Sequence, residues 1–153
     1  MIDQGRQEAT IAAPLDRLWA VLTDFEAYPG WAQALKAVVV LERDDEGRGT
    51  LVSYRAAAMG RSTTYVLRYD YAGAPHHLPW ALESGDIMRR LDGSYDFTPV
   101  PGAAGAGDGD STHVAYHLAV ELLVPLPGFV KRRAGVTIMH IALRELRAVV
   151  EDR

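Results

Sequence analysis

Residues 13–31 read APLDRLWAVLTDFEAYPGW, and this stretch decides the fold. Pro14 suits the first turn of a helix, where its missing N–H costs nothing. Leu15, Leu18, Trp19 and Leu22 then fall at i, i+3, i+4 and i+7, one apolar face of a short helix. Thr23-Asp24 ends that helix or caps a second short turn carrying Phe25 and Tyr28. Pro29-Gly30 breaks the chain again. Core packing accounts for the helix. It does not account for the aromatic corner of Tyr28, Pro29 and Trp31 that follows.

On either side of this stretch the period is two. Upstream, Gln7–Ala12 alternates weakly and reads as a first strand. Downstream, strands are expected at Val38–Glu42, Gly49–Ala58, Thr63–Tyr71, Leu78–Glu83, Ile87–Phe97 and His113–Leu122. The connections at 44–49, 59–61, 73–77, 84–86 and 99–111 carry Gly, Pro, Asp and Ser, which implies antiparallel hairpins. Pro125 and Pro127 end the last strand. Phe129–Glu151 then reads as one amphipathic helix of about 33 Å at 1.5 Å per residue. No repeat or linker divides the chain, so residues 1–153 are expected to form one α+β domain. A long sheet must bury one face, and the C-terminal helix is the one element long enough to cover it. If the sheet curls around that helix, a gap can remain, with the corner at Tyr28–Trp31 at one end of it.

Composition narrows the function classes. Hydrophobic residues make up 48% and charged residues 24%, the balance of a soluble globular protein. The formal charge of −4 argues against a nucleic-acid partner, which would need a basic surface. There is no cysteine, which excludes a disulfide scaffold, a thiol nucleophile and a thiolate metal site. No apolar run reaches transmembrane length, and MIDQGRQEAT lacks the basic start and apolar stretch of a signal peptide. Stable membrane insertion is therefore not expected, and the cytoplasm is the expected compartment.

Strand parity assigns side chains to the gap. Thr63, Tyr65, Leu67, Tyr69 and Tyr71 face inward, opposite Arg68 and Asp70. By the same test Val52, Tyr54, Ala56, Trp80, Leu82, Leu91, Tyr95, Phe97, Val114, Tyr116, Leu118 and Val120 also face inward. A dry core would use Leu, Ile and Val. Each buried phenol needs a partner or costs on the order of 1–3 kcal/mol. Inner tyrosines beside Ala56, Ala58 and Thr63 suggest a roomy cavity with hydroxyls for a ligand or water. The alternative is that they span a curved sheet and reach solvent at its rim.

The order of elements, together with "AP…LW…D…YPGW", resembles the START-like (Bet v 1-like, helix-grip, SRPBCC) superfamily in its bacterial polyketide cyclase/dehydrase branch. LDGSYDF (91–97) is similar to that family's glycine-led strand. THVAYHLAVELLVPLPGFVKRR (112–133) is similar to its last strand and the entry to its long helix. The resemblance implies a helix-grip fold: a curved antiparallel sheet of about six to seven strands around the C-terminal helix, with two short helices after the first strand. It also implies that the short-helix corner is a lip of the cavity, with Tyr28 and Trp31 as ligand-facing aromatics. The other reading of Trp31 is a plug at the end of the sheet. The family includes polyketide aromatase/cyclases and lipid and quinone carriers, so the resemblance does not name a ligand.

An aromatase/cyclase needs a proton donor or acceptor and an oxyanion stabiliser in its pocket. The aromatase/cyclases resembled here carry inner arginines at two positions that fall on Tyr69 and Leu82. Both arginines are absent, and Arg68 has outward parity. Tyr69 can donate a hydrogen bond but supplies no permanent charge. His140, on the long helix, would act as an acid or base if it faced the cavity, and is otherwise a boundary residue. His76-His77 reads as a solvated hairpin loop. His113 and His117 are roughly 13 Å apart along a strand, too far to share a metal. GAAGAG (102–107) and DGD (108–110) lack the context of a dinucleotide loop or a calcium loop. KRR (131–133) opens the long helix as a solvated end or as a rim for an anionic head group, a carrier protein or a membrane surface.

The expected function is binding of an apolar or aromatic small molecule, such as a lipid, quinone or polyketide-like compound. The expected wall is Tyr28, Trp31, Leu35, Tyr54, Tyr65, Tyr69, Trp80, Leu82, Tyr95, Tyr116, Thr137 and His140. No cofactor and no metal site is expected. The alternative is an aromatase/cyclase or dehydratase acting on a carrier-bound poly-ketone, with Tyr69 and His140 as the acid/base candidates. A third reading, a module binding a protein partner through Pro125–Arg133, needs no cavity at all.

Overall fold

The computed structural model describes residues 3–58, 61–100, 111–123 and 128–151. The 59–61 turn, most of the 99–111 connection with its GAAGAG and DGD, Pro125 and Pro127 lie wholly or partly outside the described residues, as do the side chains of 128–135. The elements are β1 (Asp3–Ile11), α1 (Leu15–Thr23), a 3-10 turn (Phe25–Gly30), β2 (Leu35–Arg43), β3 (Gly49–Ala58), β4 (Arg61–Tyr69), β5 (His77–Gly85), β6 (Met88–Val100), β7 (Ser111–Leu122) and α2 (Gly128–Glu151). The strands form one antiparallel sheet in the order β1-β7-β6-β5-β4-β3-β2. This is an α+β helix-grip fold with seven strands. No helix among the described residues is long and apolar enough to cross a membrane.

Most strand boundaries move by one to four residues from those the pattern predicts, with β6 running on to Val100 and β4 beginning at Arg61. β1 starts at Asp3 because its backbone pairs with β7 from Asp3↔Val120 onward, although its first residues show no apolar alternation. β2 starts at Leu35, where a register shift between Leu35 and Ala37 hides the strand from a period-two reading. β4 ends at Tyr69, two residues before Tyr71. A register shift between Met88 and Arg90 also buries Met88, whose parity alone would turn it outward.

The inner faces of β3, β4, β6 and β7 and the apolar side of α1 form one core. α2 contributes Met139, Leu143, Leu146 and Val150, a buried stripe at i, i+4, i+7 and i+11. This helix packs against β1 and β7. Its last turns are pinned from both sides. The Ala12 N–H donates to Glu151 Oε2 at 2.8 Å, and the Arg147 guanidinium donates to the Thr10 carbonyl at 2.9 Å.

β2 is an edge strand. Val39 and Leu41 on it are each 50% exposed, and its pairing with β3 is irregular at three places.

Candidate functional site

The chemistry of the inner face is aromatic. From β3 to β7 it carries a continuous set of ring contacts. Tyr54 stacks on Tyr65 at 5.1 Å between centroids, Tyr69 meets Trp80 at 5.9 Å, Trp80 meets Tyr95 at 5.2 Å, and Tyr95 meets Tyr116 at 4.7 Å. Phe25, from the 3-10 turn, closes on Tyr69 at 4.7 Å. Phe25 is a wall residue that parity does not reveal, because it sits in a turn. Its spacing of three from Tyr28 is the available signal.

Burial divides the predicted wall. Tyr28, Tyr54, Tyr69, Trp80 and Tyr116 are buried. Trp31, Leu35, Tyr65, Leu82 and Tyr95 are packed against the core but remain partly exposed. The four strand residues point inward by register, and Trp31 meets the buried Tyr28 ring at 5.1 Å between centroids. Leu35 pairs with buried Ala56, Tyr95 with buried Tyr116, and Tyr65 and Leu82 lie two residues from buried Leu67 and Trp80. Solvent therefore reaches the inner face of the sheet through an apolar surface.

Two predicted residues do not join this wall. Thr137 and His140 are exposed on α2, flanking buried Met139. The helix is rotated so that the stripe through Met139 and Leu143 meets the sheet, and His140, one residue on, is turned about 100° away.

Tyr28 also has a different task from the one predicted. Its hydroxyl donates to the Leu22 carbonyl at 2.5 Å, satisfying a C-terminal carbonyl of α1. Its ring is wedged among Phe25, Tyr54 and Trp31. Tyr28 thus locks the corner, and Trp31 is the partly exposed ring that the corner presents. Tyr28→Phe is expected to cost about 1–2 kcal/mol in thermal or denaturant melts, from the carbonyl left without its donor. It should leave ligand preference unchanged, since that hydroxyl is already engaged.

Three of the other phenols also have hydroxyl contacts. Tyr71 donates to the Gly49 carbonyl at 2.6 Å. The Tyr54 and Tyr69 hydroxyl oxygens are 2.5 Å apart. Burial, followed by the neighbouring phenols, pushes Tyr28, Tyr54 and Tyr116 well above the ordinary tyrosine range. Burial also raises Tyr65, Tyr69 and Tyr95. Burial and the Asp44 carboxylate push Tyr71 up to about 12. At neutral pH the inner face is a neutral surface of hydrogen-bond donors.

Several charged groups near the wall have partners. An open groove of about 710 Å³ is lined by the wall residues Tyr69 and Trp80, by Tyr71, and by Asp44, Arg48, Arg68 and Asp70. There Arg48 bonds to Asp44 and Glu46, Arg68 bonds to Glu83, and Asp70 accepts from the Ala72 N–H. Three histidines, His77, His113 and His117, stand on strands with carboxylate partners. His77 is not simply solvated: it opens β5 and contacts the Asp96 carboxylate, which also lies 3.3 Å from His117 Nε2. His113 bonds to a different carboxylate, Glu8, at 2.7 Å.

A family model for polyketide cyclase/dehydrase and lipid transport matches residues 4–151. Among solved structures, the chain is similar to a START superfamily protein from Mycobacterium smegmatis, with 23% identity, a TM-score of 0.86 and 97% of each chain covered. It is similar to the Zhui aromatase/cyclase from a Streptomyces species, at 17% identity and a TM-score of 0.78, covering 100% of this chain and 96% of that one. A Thermus thermophilus protein matches at 21% identity and a TM-score of 0.74, with 97% of each chain covered. At these identities the structures share the fold. No curated protein matches the sequence. With a family match that runs almost end to end, the chain belongs to the polyketide cyclase/dehydrase and lipid transport family.

Proposed function

We propose that this protein binds an apolar or aromatic small molecule between the inner face of the sheet and α2. The observation that carries the reading is the exposure pattern. Leu35, Tyr65, Leu82 and Tyr95 are inward-pointing yet partly exposed, and Trp31 packs against the same core with part of its ring exposed. A sheet that had closed onto its helix would bury such side chains completely, gaining about 25 cal/mol for each Å² of apolar surface removed from water. An apolar guest supplies that burial instead.

Catalysis on a carrier-bound poly-ketone has weaker support. The two positions where the aromatase/cyclases resembled here carry arginine hold Tyr69 and Leu82, so the inner face lacks a fixed cation at those places. Tyr69 is pushed away from the range of a neutral-pH base, and His140 is exposed.

Native mass spectrometry of the purified protein, followed by denaturing extraction, tests the binding reading. The expected result is a co-purifying apolar molecule, or a mass shift and thermal stabilisation on adding a polycyclic aromatic or quinone. A clean apo mass with no stabilisation by fatty acids, quinones or polycyclic aromatics would overturn it.

A further inference from the structure

The hydroxyls of Tyr54 and Tyr69 face each other at 2.5 Å across β3 and β4. Each phenol brings one O–H donor. One proton is used within the pair. The other hydroxyl keeps a proton that no described residue accepts. What surrounds the pair is ring surface: Phe25 and Trp80 beside Tyr69, and Tyr28 and Tyr65 beside Tyr54, with centroids 4.7–6.3 Å away. None of these neighbours carries a charge. Burial keeps both phenols protonated.

We infer that the Tyr54–Tyr69 pair is the polar anchor of the site and selects an uncharged ligand bearing a carbonyl oxygen, such as a ketone or quinone. It would favour that ligand over a hydrocarbon of the same shape and over a carboxylate. The inference rests on the binding function proposed above. The carbonyl accepts the surplus proton and turns an incompletely used donor into a hydrogen bond. A hydrocarbon leaves that donor unused. A carboxylate would accept the proton too, but it would enter a neutral aromatic wall without a counter-ion. Desolvating an unpaired charge costs more than one hydrogen bond returns.

The donor arithmetic makes the variants informative. Tyr54→Phe or Tyr69→Phe removes one hydroxyl and leaves the other with its proton free of the pair. Each single variant therefore keeps the carbonyl preference. Only the double variant removes every donor of the pair and loses it. A purely structural role would instead weaken all ligands together, in proportion to lost stability.

The test is titration of the full chain with fluorenone, fluorene and a fluorene carboxylate, followed by tryptophan fluorescence. Fluorenone is expected to bind wild type about 10-fold more tightly than fluorene, and at least about 10-fold more tightly than the carboxylate. The fluorenone-to-fluorene ratio should persist in both single variants and fall to about one in Y54F/Y69F. Equal binding of fluorenone and fluorene by wild type would overturn this inference while leaving the binding function standing. A preference for the carboxylate would also overturn it. Failure of all three probes to bind would overturn this inference, and would overturn the binding function as well only together with a clean apo mass and no stabilisation by fatty acids or quinones. If the double variant fails to fold, equal binding of fluorenone and fluorene by wild type, or loss of the ratio in either single variant, still overturns the inference.

Discussion

Above about pH 11, the protein is expected to unfold and its tyrosinate absorbance to rise in the same cooperative step. All seven tyrosines are raised above the ordinary range, primarily by burial. A phenol is neutral when protonated, so the folded state resists losing the proton while the unfolded chain does not. The stabilisation is fully present below the unfolded value of about 10 and is lost as pH rises toward the folded values. At pH 11 each buried phenol then favours the unfolded chain by about 1.4 kcal/mol. Several together are comparable with a typical net stability of about 5–15 kcal/mol. Paired alkaline titrations by near-ultraviolet absorbance and far-ultraviolet circular dichroism would check this. A gradual tyrosinate signal near pH 10, with the backbone signal intact, would mean that the phenols stand in water.

Gly93→Ala is expected to be the most damaging single methyl addition among the described glycines. A Cβ at Gly93 would lie 2.6 Å from the His117 carbonyl oxygen and 2.6 Å from Cζ2 of Trp80. The first contact is backbone and cannot swing aside. The second is an indole held among Tyr69, Tyr95 and Tyr116. Overpacking of this kind costs about 3 kcal/mol, or roughly 6–12 °C in Tm for a chain of this size. The displaced Trp80 would also disturb the ring wall, so affinity for an aromatic probe should drop along with stability. Thermal melts and the fluorescence titration check both effects. An unchanged Tm would show that the indole does not rest on that strand.

Gly93 also shows how far the sequence can be read. The glycine-led pattern LDGSYDF marks β6, but the reason for the glycine is a tryptophan thirteen residues earlier, visible only once β5 and β6 are paired. Inward faces were legible because polar and apolar residues alternate cleanly, as in Thr63–Tyr69 and His113–Val120. The pattern failed where a register shift breaks the period, at Leu35 and Met88. It failed differently for α2. Periodicity locates an apolar stripe, but the rotation that leaves His140 exposed is set by Met139 seated beside Gly5 on β1. The corner at Tyr28–Trp31 was legible as an anomaly. Its division of labour was not, because a tyrosine tied to the Leu22 carbonyl and a tyrosine offered to a ligand are spelled alike.

The irregular edge of β2 has a consequence for behaviour in solution. A flat outer strand displaying Val39 and Leu41 would be a template for strand recruitment, and chains would stack by backbone pairing. The three register breaks interrupt the even ladder of donors and acceptors that an incoming strand must match. That irregularity works as a guard against fibril-like assembly. A variant that straightened β2 would be expected to gain regularity within the fold and lose solubility outside it.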